Sequence, residues 1–391
     1  MVGLSRRLIL WIGAGAVGFV LLAVAALAVA VLVIDPNRFK DRIAQAVQDQ
    51  TGRTLTLAGD LGWRVFPWLV VNAGAGSLGN PAGFVQGEFV RWQGLRLGVK
   101  LLPLLHKQLV IDRVRVDGAD LHLQRNAQGV ANWSFASGKP ANDMATPLQI
   151  DSLELRNGTL RYADAGSGTT LRVTALDVAA SLPAGSTTRD IRVEKLQLSA
   201  VLQASALGEA SNPVTIAADE IVFAADALSV PKWQGSFGPA KVSGSITANF
   251  GEQPTARGTF ELQTDALREL LRATGNTPPR TADPHTLGRF ELATRFDYAR
   301  DAASFDALRV RLDDTQLAGS ASLIASRMVI DMQGDGIDLD RYLEPDDAQS
   351  KPLELPLAQL KALQVQGEIR LRQASVSGAL LQGVRLKLVS Q

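Results

Sequence analysis

Cysteine is absent from the 391 residues. That excludes disulfides, thiolate nucleophiles and cysteine-built metal sites, so stability must come from apolar burial and backbone pairing. Histidine is scarce: His106, His122 and His285 lie far apart in sequence, and His122 falls mid-strand between Leu121 and Leu123, where a solvated side chain is expected. Charge of one sign is lacking as well. Forty basic residues against thirty-nine acidic ones leave a formal charge of +1, and no basic stripe exists to release counterions from nucleic acid, so no nucleic-acid partner is expected. There is no Walker A loop, H-E-x-x-H or G-x-S-x-G elbow. Two G-x-G-x-x-G matches occur. Gly13, Gly15 and Gly18 lie inside an apolar run, and Gly74, Gly76 and Gly79 are followed by Asn80-Pro81 and Gly83 where a phosphate-binding helix should begin. The acidic residues Asp331, Asp335, Asp338 and Asp340 miss a calcium loop at Gln333 and Tyr342. No nucleophile, base and orienting group fall together, so a protein that is not an enzyme, with no cofactor and no metal, is expected.

What the chain does have is one long uncharged stretch. Residues 8–34 run for 27 positions without a charge, more than the ~20 a helix needs to cross a ~30 Å hydrocarbon core. Ala26-Leu27-Ala28 resembles a signal-peptide cleavage site, but a signal h-region of about 7–15 residues is shorter than this run. Arg6 and Arg7 precede it, while Asp35 and Pro36 come after it and before Arg38, a bias that keeps the N-terminus cytoplasmic. The expected layout is a cytoplasmic N-terminus at 1–7, a transmembrane helix at 8–34, a juxtamembrane amphipathic helix at 35–52 and a β-rich region beyond the membrane at 53–391. Asp35-Pro36 supplies a cap and first turn for that amphipathic helix, Phe39, Ile43, Ala46 and Val47 its apolar face, and Thr51-Gly52 its stop. It should lie on the bilayer surface or cap the start of the β-rich region.

From about residue 95 apolar residues alternate with period two, as half-buried strands require. Residues 109–123 superpose without gaps on 148–162, an internal repeat at an offset of 39. Asp117-Gly118 and Asn157-Gly158 predict two-residue hairpins that pair Val116 with Ala119, Val114 with Leu121, Leu155 with Leu160 and Leu153 with Tyr162. A further helix is expected between 265 and 274, stopped by Gly275, and hinges at 137–147, 204–213, 275–286 and 344–352. Alternation still runs at 383–389, which predicts an open strand edge and a truncated form of something longer. The fold class is mostly β: one transmembrane helix and a short amphipathic helix, followed by a long, curved antiparallel β-sheet forming an apolar trough.

Several blocks, in order behind the apolar run, resemble the AsmA family of envelope proteins. They are Asp35-Pro36-Asn37-Arg38-Phe39-Lys40, Thr51-Gly52-Arg53, Gly59-Asp60-Leu61 with Trp63 before Pro67, and Leu102-Pro103-Leu104-Leu105. Gly129 with Asn132-Trp133-Ser134-Phe135 comes next, then Leu312-Asp313-Asp314-Thr315 with Gly319-Ser320, and Ile337-Asp338-Leu339-Asp340-Arg341-Tyr342-Leu343. The resemblance implies an inner-membrane anchor in a diderm bacterium and a periplasmic β-structure shaped as a long trough. It also implies a role in outer-membrane biogenesis with movement of phospholipid between membranes. The implied partners are the inner membrane, phospholipid, and outer-membrane or envelope assembly proteins.

The residues supply the physical half of that expectation, because a folded sheet with apolar groups inside and charged groups outside gives acyl chains a dry path. The shared face of the repeat predicts Val114, Val116, Leu121, Leu123, Leu153, Leu155, Leu160, Ile369 and Leu371 as its lining. Two other readings use the same sheet differently. A scaffold or chaperone-like factor for outer-membrane protein assembly would hold extended chains on open strand edges, and a passive β-sandwich on a stalk would have a filled core.

Overall fold

The computed structural model describes residues 35–65, 69–84, 87–100, 103, 110–134, 149–183, 190–208, 210–224, 226–300, 302–324, 327–343 and 364–389. The expected transmembrane helix at 8–34 lies outside them, as do His106, the linker at 137–147 and that at 344–352. No helix among the described residues is long and apolar enough to cross a membrane. The chain divides into two compact units, Met1–Arg156 and Asn157–Gln391.

In the first unit, a 3-10 turn at Pro36–Phe39 runs into α1 (Lys40–Thr51). The Asp35 carboxylate accepts the Asn37 N–H at 2.9 Å and Pro36 takes the first position, where its missing donor costs nothing. Gly52, at φ 69°, closes the helix in the left-handed region. Both ends fall where the sequence puts them. Ten strands come after it: β1 (Leu55–Leu57), β2 (Leu61–Val65), β3 (Leu69–Ala73), β4 (Gly76–Gly79), β5 (Glu88–Trp92), β6 (Gly94–Val99), β7 (Val110–Asp117), β8 (Asp120–Arg125), β9 (Gln149–Ile150) and β10 (Ser152–Asp164). One antiparallel ladder runs β2–β3–β6–β7 and continues in parallel onto β9 and the start of β10; another runs β1–β4–β5–β8. Gly74, one of the coincidental motif glycines, serves a backbone crossing. Its N–H donates to Asp60 O at 3.0 Å and Gly59 N–H to Ala75 O at 2.7 Å, so close that a Cβ on Gly59 would stand 2.4 Å from Ala75 N.

Both predicted hairpins are corrected. The edges of β7 are already taken, by β6 on one side (Leu97↔Val114, Leu95↔Val116) and by β9 and β10 on the other, so β8 pairs with β5 through Val90↔Leu121. Gly118 does turn at φ 62°, but its N–H donates to Arg156 O, across to β10. At Asn157-Gly158 a type I′ turn would need positive φ at both residues. Only Asn157 has it (φ 50°), and β10 passes straight through the pair as one strand of 13 residues. The 39-residue repeat is instead a parallel ladder with that same offset: Leu153↔Val114, Leu155↔Val116 and Ile111↔Ile150.

The second unit is a meander. Its strands are β11 (Thr170–Ser181), β12 (Asp190–Val193), β13 (Lys195–Ala204), β14 (Asn212–Ala218), β15 (Ile221–Ala224), β16 (Ala227–Phe237), β17 (Ala240–Asn249) and β18 (Thr255–Thr264). After α2 (Leu267–Ala273) come β19 (Phe290–Ala299), β20 (Ala302–Leu312), β21 (Thr315–Ile324), β22 (Arg327–Asp338), β23 (Gln364–Val376) and β24 (Ala379–Leu388). Helix α2 lies within the expected 265–274, buries Leu270 and Ala273, and is followed by Gly275 at φ 77°. Neighbouring strands of the meander run antiparallel except β22–β23, so the expected antiparallel sheet is corrected at two places, this one and β7–β9/β10. Register shifts interrupt β11–β13, β16–β17, β19–β20 and β20–β21, the last two around Thr294 and Ala307. Bulges of this kind raise local twist and bend the strands.

Candidate functional site

Register turns the alternation of each strand into rows that cross the sheet. In the second unit, Val178, Leu198, Ile216, Gly235, Val242 and Leu262 stand side by side from β11 to β18. The same row continues through Leu292, Val310, Leu317, Gly334, Leu371 and Val384 to β24. Twelve strands thus carry one row with no polar side chain. At ~4.8 Å per strand it is about 53 Å long. Parallel rows on that face hold Trp233, Gly244 and Phe260, then Ile246, Gly258, Phe296, Phe305 and Ala321. Trp233 and Phe260 meet with ring centroids 6.3 Å apart, across the strand that carries Gly244 between them.

The neighbouring row, on the opposite face, is of another kind. From β13 it reads Gln197, Ala217, Gln234, Ser243, Glu261 and Ala293, then Arg309, Ala318, Gln333, Arg370 and Arg385. Ion pairs between Arg370 and Asp331 (2.5 Å) and between Arg385 and Glu368 (2.8 Å) lie there. A cleft of about 870 Å³ on this face is lined by side chains of both signs, among them Glu261, Glu291, Arg309 and Arg370. Leu292, Val310, Leu317 and Leu371 border it as well, so it mixes charge with apolar surface and lacks the few convergent polar groups of a small-molecule site.

Burial decides what the apolar face is. In a filled sandwich core these side chains would be almost wholly enclosed. Of the twelve in the central row only Leu371 is, at 7% exposure; Ile216 is 37% exposed and the others are half-buried. A face this long, apolar and incompletely covered is of the kind that marks an interaction surface.

The nine residues expected from the sequence fall into separate places. Val114 stands between Leu97 and Leu153, and Val116 between Leu95 and Leu155, in two rows of the first unit that continue to Trp63 and Leu61. Leu153 is 39% exposed. Leu121 is not in those rows; it belongs with Leu55, Leu78 and Val90 on the β1–β4–β5–β8 ladder, with Leu123 two residues on along the same strand. Leu160 is half-buried in the part of β10 that lies in the second unit. Ile369, between Met332 and Leu386, and Leu371, between Gly334 and Val384, belong to the twelve-strand face. Sequence reasoning missed most of that face. Its signal was the alternation within each strand.

Several of the blocks that carry the family resemblance prove to be fastenings, whereas Leu102, Leu104 and Leu105 lie outside the described residues. Asn37 clamps Leu61 through its side-chain amide: Oδ1 accepts the Leu61 N–H at 2.9 Å and Nδ2 donates to Leu61 O at 3.3 Å. Arg53, 1% exposed, donates to Asn132 O at 2.6 Å and lies 4.6 Å over the Phe89 ring. Asn132 is fully buried, donates to Asn80 Oδ1 and His122 O, and accepts from the Gln124 N–H. His122 lies 3.2 Å from Asp120. At one margin of the meander, Asp313, at φ 51°, accepts the N–H groups of Leu287, Gly288 and Arg289 at 2.8, 3.0 and 3.0 Å, and the Tyr342 hydroxyl at 2.8 Å. Burial pushes the Asp313 carboxyl up, but the bonds from Tyr342, Leu287, Arg289 and Gly288 outweigh it and hold the pKa below the ordinary carboxylate value. Arg341 bridges Asp283 and Asp314 at 2.8 Å each, which raises its own pKa. Of the acidic residues that faintly matched a calcium loop, Asp335 accepts the Gln316 and Gly336 N–H groups and Asp340 those of Ser377 and Gly378.

A many-stranded sheet polar on one face and apolar on the other defines a mostly β protein with a two-faced sheet. The sequence pattern of the AsmA family matches residues 8–227, more than half of the chain. The chain belongs to the AsmA family. Protein AsmA of Escherichia coli K12 is 37% identical over 107 residues, 27% of this chain and 17% of that protein. AsmA family protein YhjG of the same organism is 27% identical over 176 residues, 40% of this chain and 25% of that protein. The chain therefore aligns with a quarter or less of the length of either relative.

Proposed function

We propose that this is an inner-membrane-anchored envelope protein whose periplasmic sheet carries phospholipid acyl chains on its apolar face, in the service of outer-membrane biogenesis. The observation that carries the reading is the twelve-strand row, apolar throughout and only partly covered. Each CH₂ shielded from water contributes about 0.8 kcal/mol, so lipid is held without specific polar contacts and moves by sliding from strand to strand. No step needs a catalytic group. The run at 8–34 would supply the anchor, with the N-terminus cytoplasmic.

The test is photo-crosslinking in cells grown on radioactive phosphate, with benzoylphenylalanine at Leu262 or at its neighbour Gln263. A labelled phospholipid adduct is expected at 262 and little at 263. Equal labelling at both, or none at 262, would overturn the proposal. Adducts with polypeptide in place of lipid would favour the scaffold that helps outer-membrane proteins assemble.

A further inference from the structure

Helix α1 divides its apolar face: Val47 and Ala44 turn to the sheet, while Phe39, Ile43 and Ala46 turn away from it. The face that packs on β1 is Lys40, Ala44, Val47 and Thr51, all half-buried. Phe39 and Ile43, one turn apart, are 39% and 41% exposed, Ala46 is exposed beside them, and none of the helix's residues is buried. A solvent-facing helix gains nothing from leaving Phe39 and Ile43 outside while the smaller Ala44 and Val47 pack. Arg38 and Arg42 are also exposed, Arg42 on the flank of the stripe. The helix is moreover fixed in direction, because Asn37 clamps Leu61 from the turn that precedes it and Lys40 lies 3.7 Å from Asp60.

We infer that α1 is a bilayer-surface foot: Phe39, Ile43 and Ala46 enter the interface of the membrane that the chain leaves at residue 34, with Arg38 and Arg42 among anionic headgroups. The inference rests on the reading of 8–34 as an anchor. Distance supports it. Phe39 is five Cα steps beyond position 34, at most about 18 Å when fully extended and less through the 3-10 turn, with its ~2 Å rise per residue. An interfacial helix sinks its apolar face about 5–10 Å into the headgroup boundary. Through Asn37 the foot would set Leu61, the first residue of the row Leu61–Ala73–Leu95–Val116–Leu155, at the bilayer surface.

The lack of cysteine makes the test clean. Nitroxide labels are placed singly at Phe39→Cys, Ile43→Cys, Gln48→Cys and Leu22→Cys in the full chain, reconstituted in phosphatidylethanolamine and phosphatidylglycerol bilayers. Collision with oxygen is compared with collision with a water-soluble nickel chelate. Labels at 39 and 43 should favour oxygen several-fold over the label at the exposed, opposite-facing Gln48. If 22 favours oxygen while 39 and 43 match 48, the foot is wrong and the anchor stands. If 22 is open to nickel, the anchor fails and the foot with it. None of these outcomes depends on whether lipid occupies the sheet of the second unit.

Discussion

Replacing Asp313 by Asn removes one charge and little else. The side chain keeps its shape, and Asn tolerates the left-handed backbone that Asp313 adopts at φ 51°. What is lost is an anion that gathers three backbone N–H groups and one phenol. Hydrogen bonds to a charged acceptor contribute about 1.5–3 kcal/mol each and are not additive. Asp313 is only half-buried, so water recovers part, and a net local loss of about 2–4 kcal/mol is expected. Hydrogen exchange read by mass spectrometry should show the amides of Leu287, Gly288 and Arg289 opening roughly 30- to 1,000-fold more often. The sign with pH comes from the lowered pKa. The carboxylate's stabilisation is complete above the unfolded value of about 3.9 and disappears as pH falls through the lower folded value. Asn does not titrate, so the difference in unfolding midpoint between the two proteins should be full at about pH 7 and shrink below about pH 4. Exchange at 287–289 within about twofold of the parent, or a midpoint difference constant down to about pH 2, would refute the reasoning.

Three further outcomes are expected. Asn37→Ala leaves the Leu61 N–H and carbonyl without the side-chain clamp, which should cost about 1–3 kcal/mol locally and raise exchange at Leu61 while leaving the second unit's melt unchanged. Gly244→Val puts a Cβ 2.1 Å from Thr259 O, a backbone atom that cannot swing aside, so the melting temperature of the second unit should fall by a loss of about 1–3 kcal/mol or more; an unchanged melt would mean the strands are not that close. Arg53→Lys keeps the charge but loses the planar fork over Phe89, so protease nicking in the turn at 126–131 should quicken relative to the parent.

The local signals were readable because they are decided within a few residues. The Asp35-Pro36 start and Gly52 stop of α1, and the stop of α2 before Gly275, depend on caps and on one positive φ. The 39-residue repeat was also readable, since a parallel ladder keeps the sequence offset as its register. The hairpins were misread because Asp-Gly and Asn-Gly report turn chemistry, whereas pairing depends on which edge of β7 is free, and β6 had already taken one. The twelve-strand row was hidden for a related reason. Each strand alternates plainly, but which set shares a face depends on eleven registers, and one extra residue in β20 near Ala307 moves the next set across. The direction of the α1 stripe could not be read either: an amphipathic helix tells which side is apolar and not what that side meets.

The most direct test of lipid carriage is to count lipid on the protein. The full chain is purified and weighed by native mass spectrometry with lipid extraction, alongside a variant carrying Val242→Glu and Val310→Glu in the central row and a control carrying Gln234→Glu on the opposite face. Several phospholipids are expected on the parent and the control, and few on the row variant despite an unchanged β-sheet spectrum. A folded parent free of lipid, or a row variant that holds as much lipid as the parent, would contradict the carriage of lipid on this face.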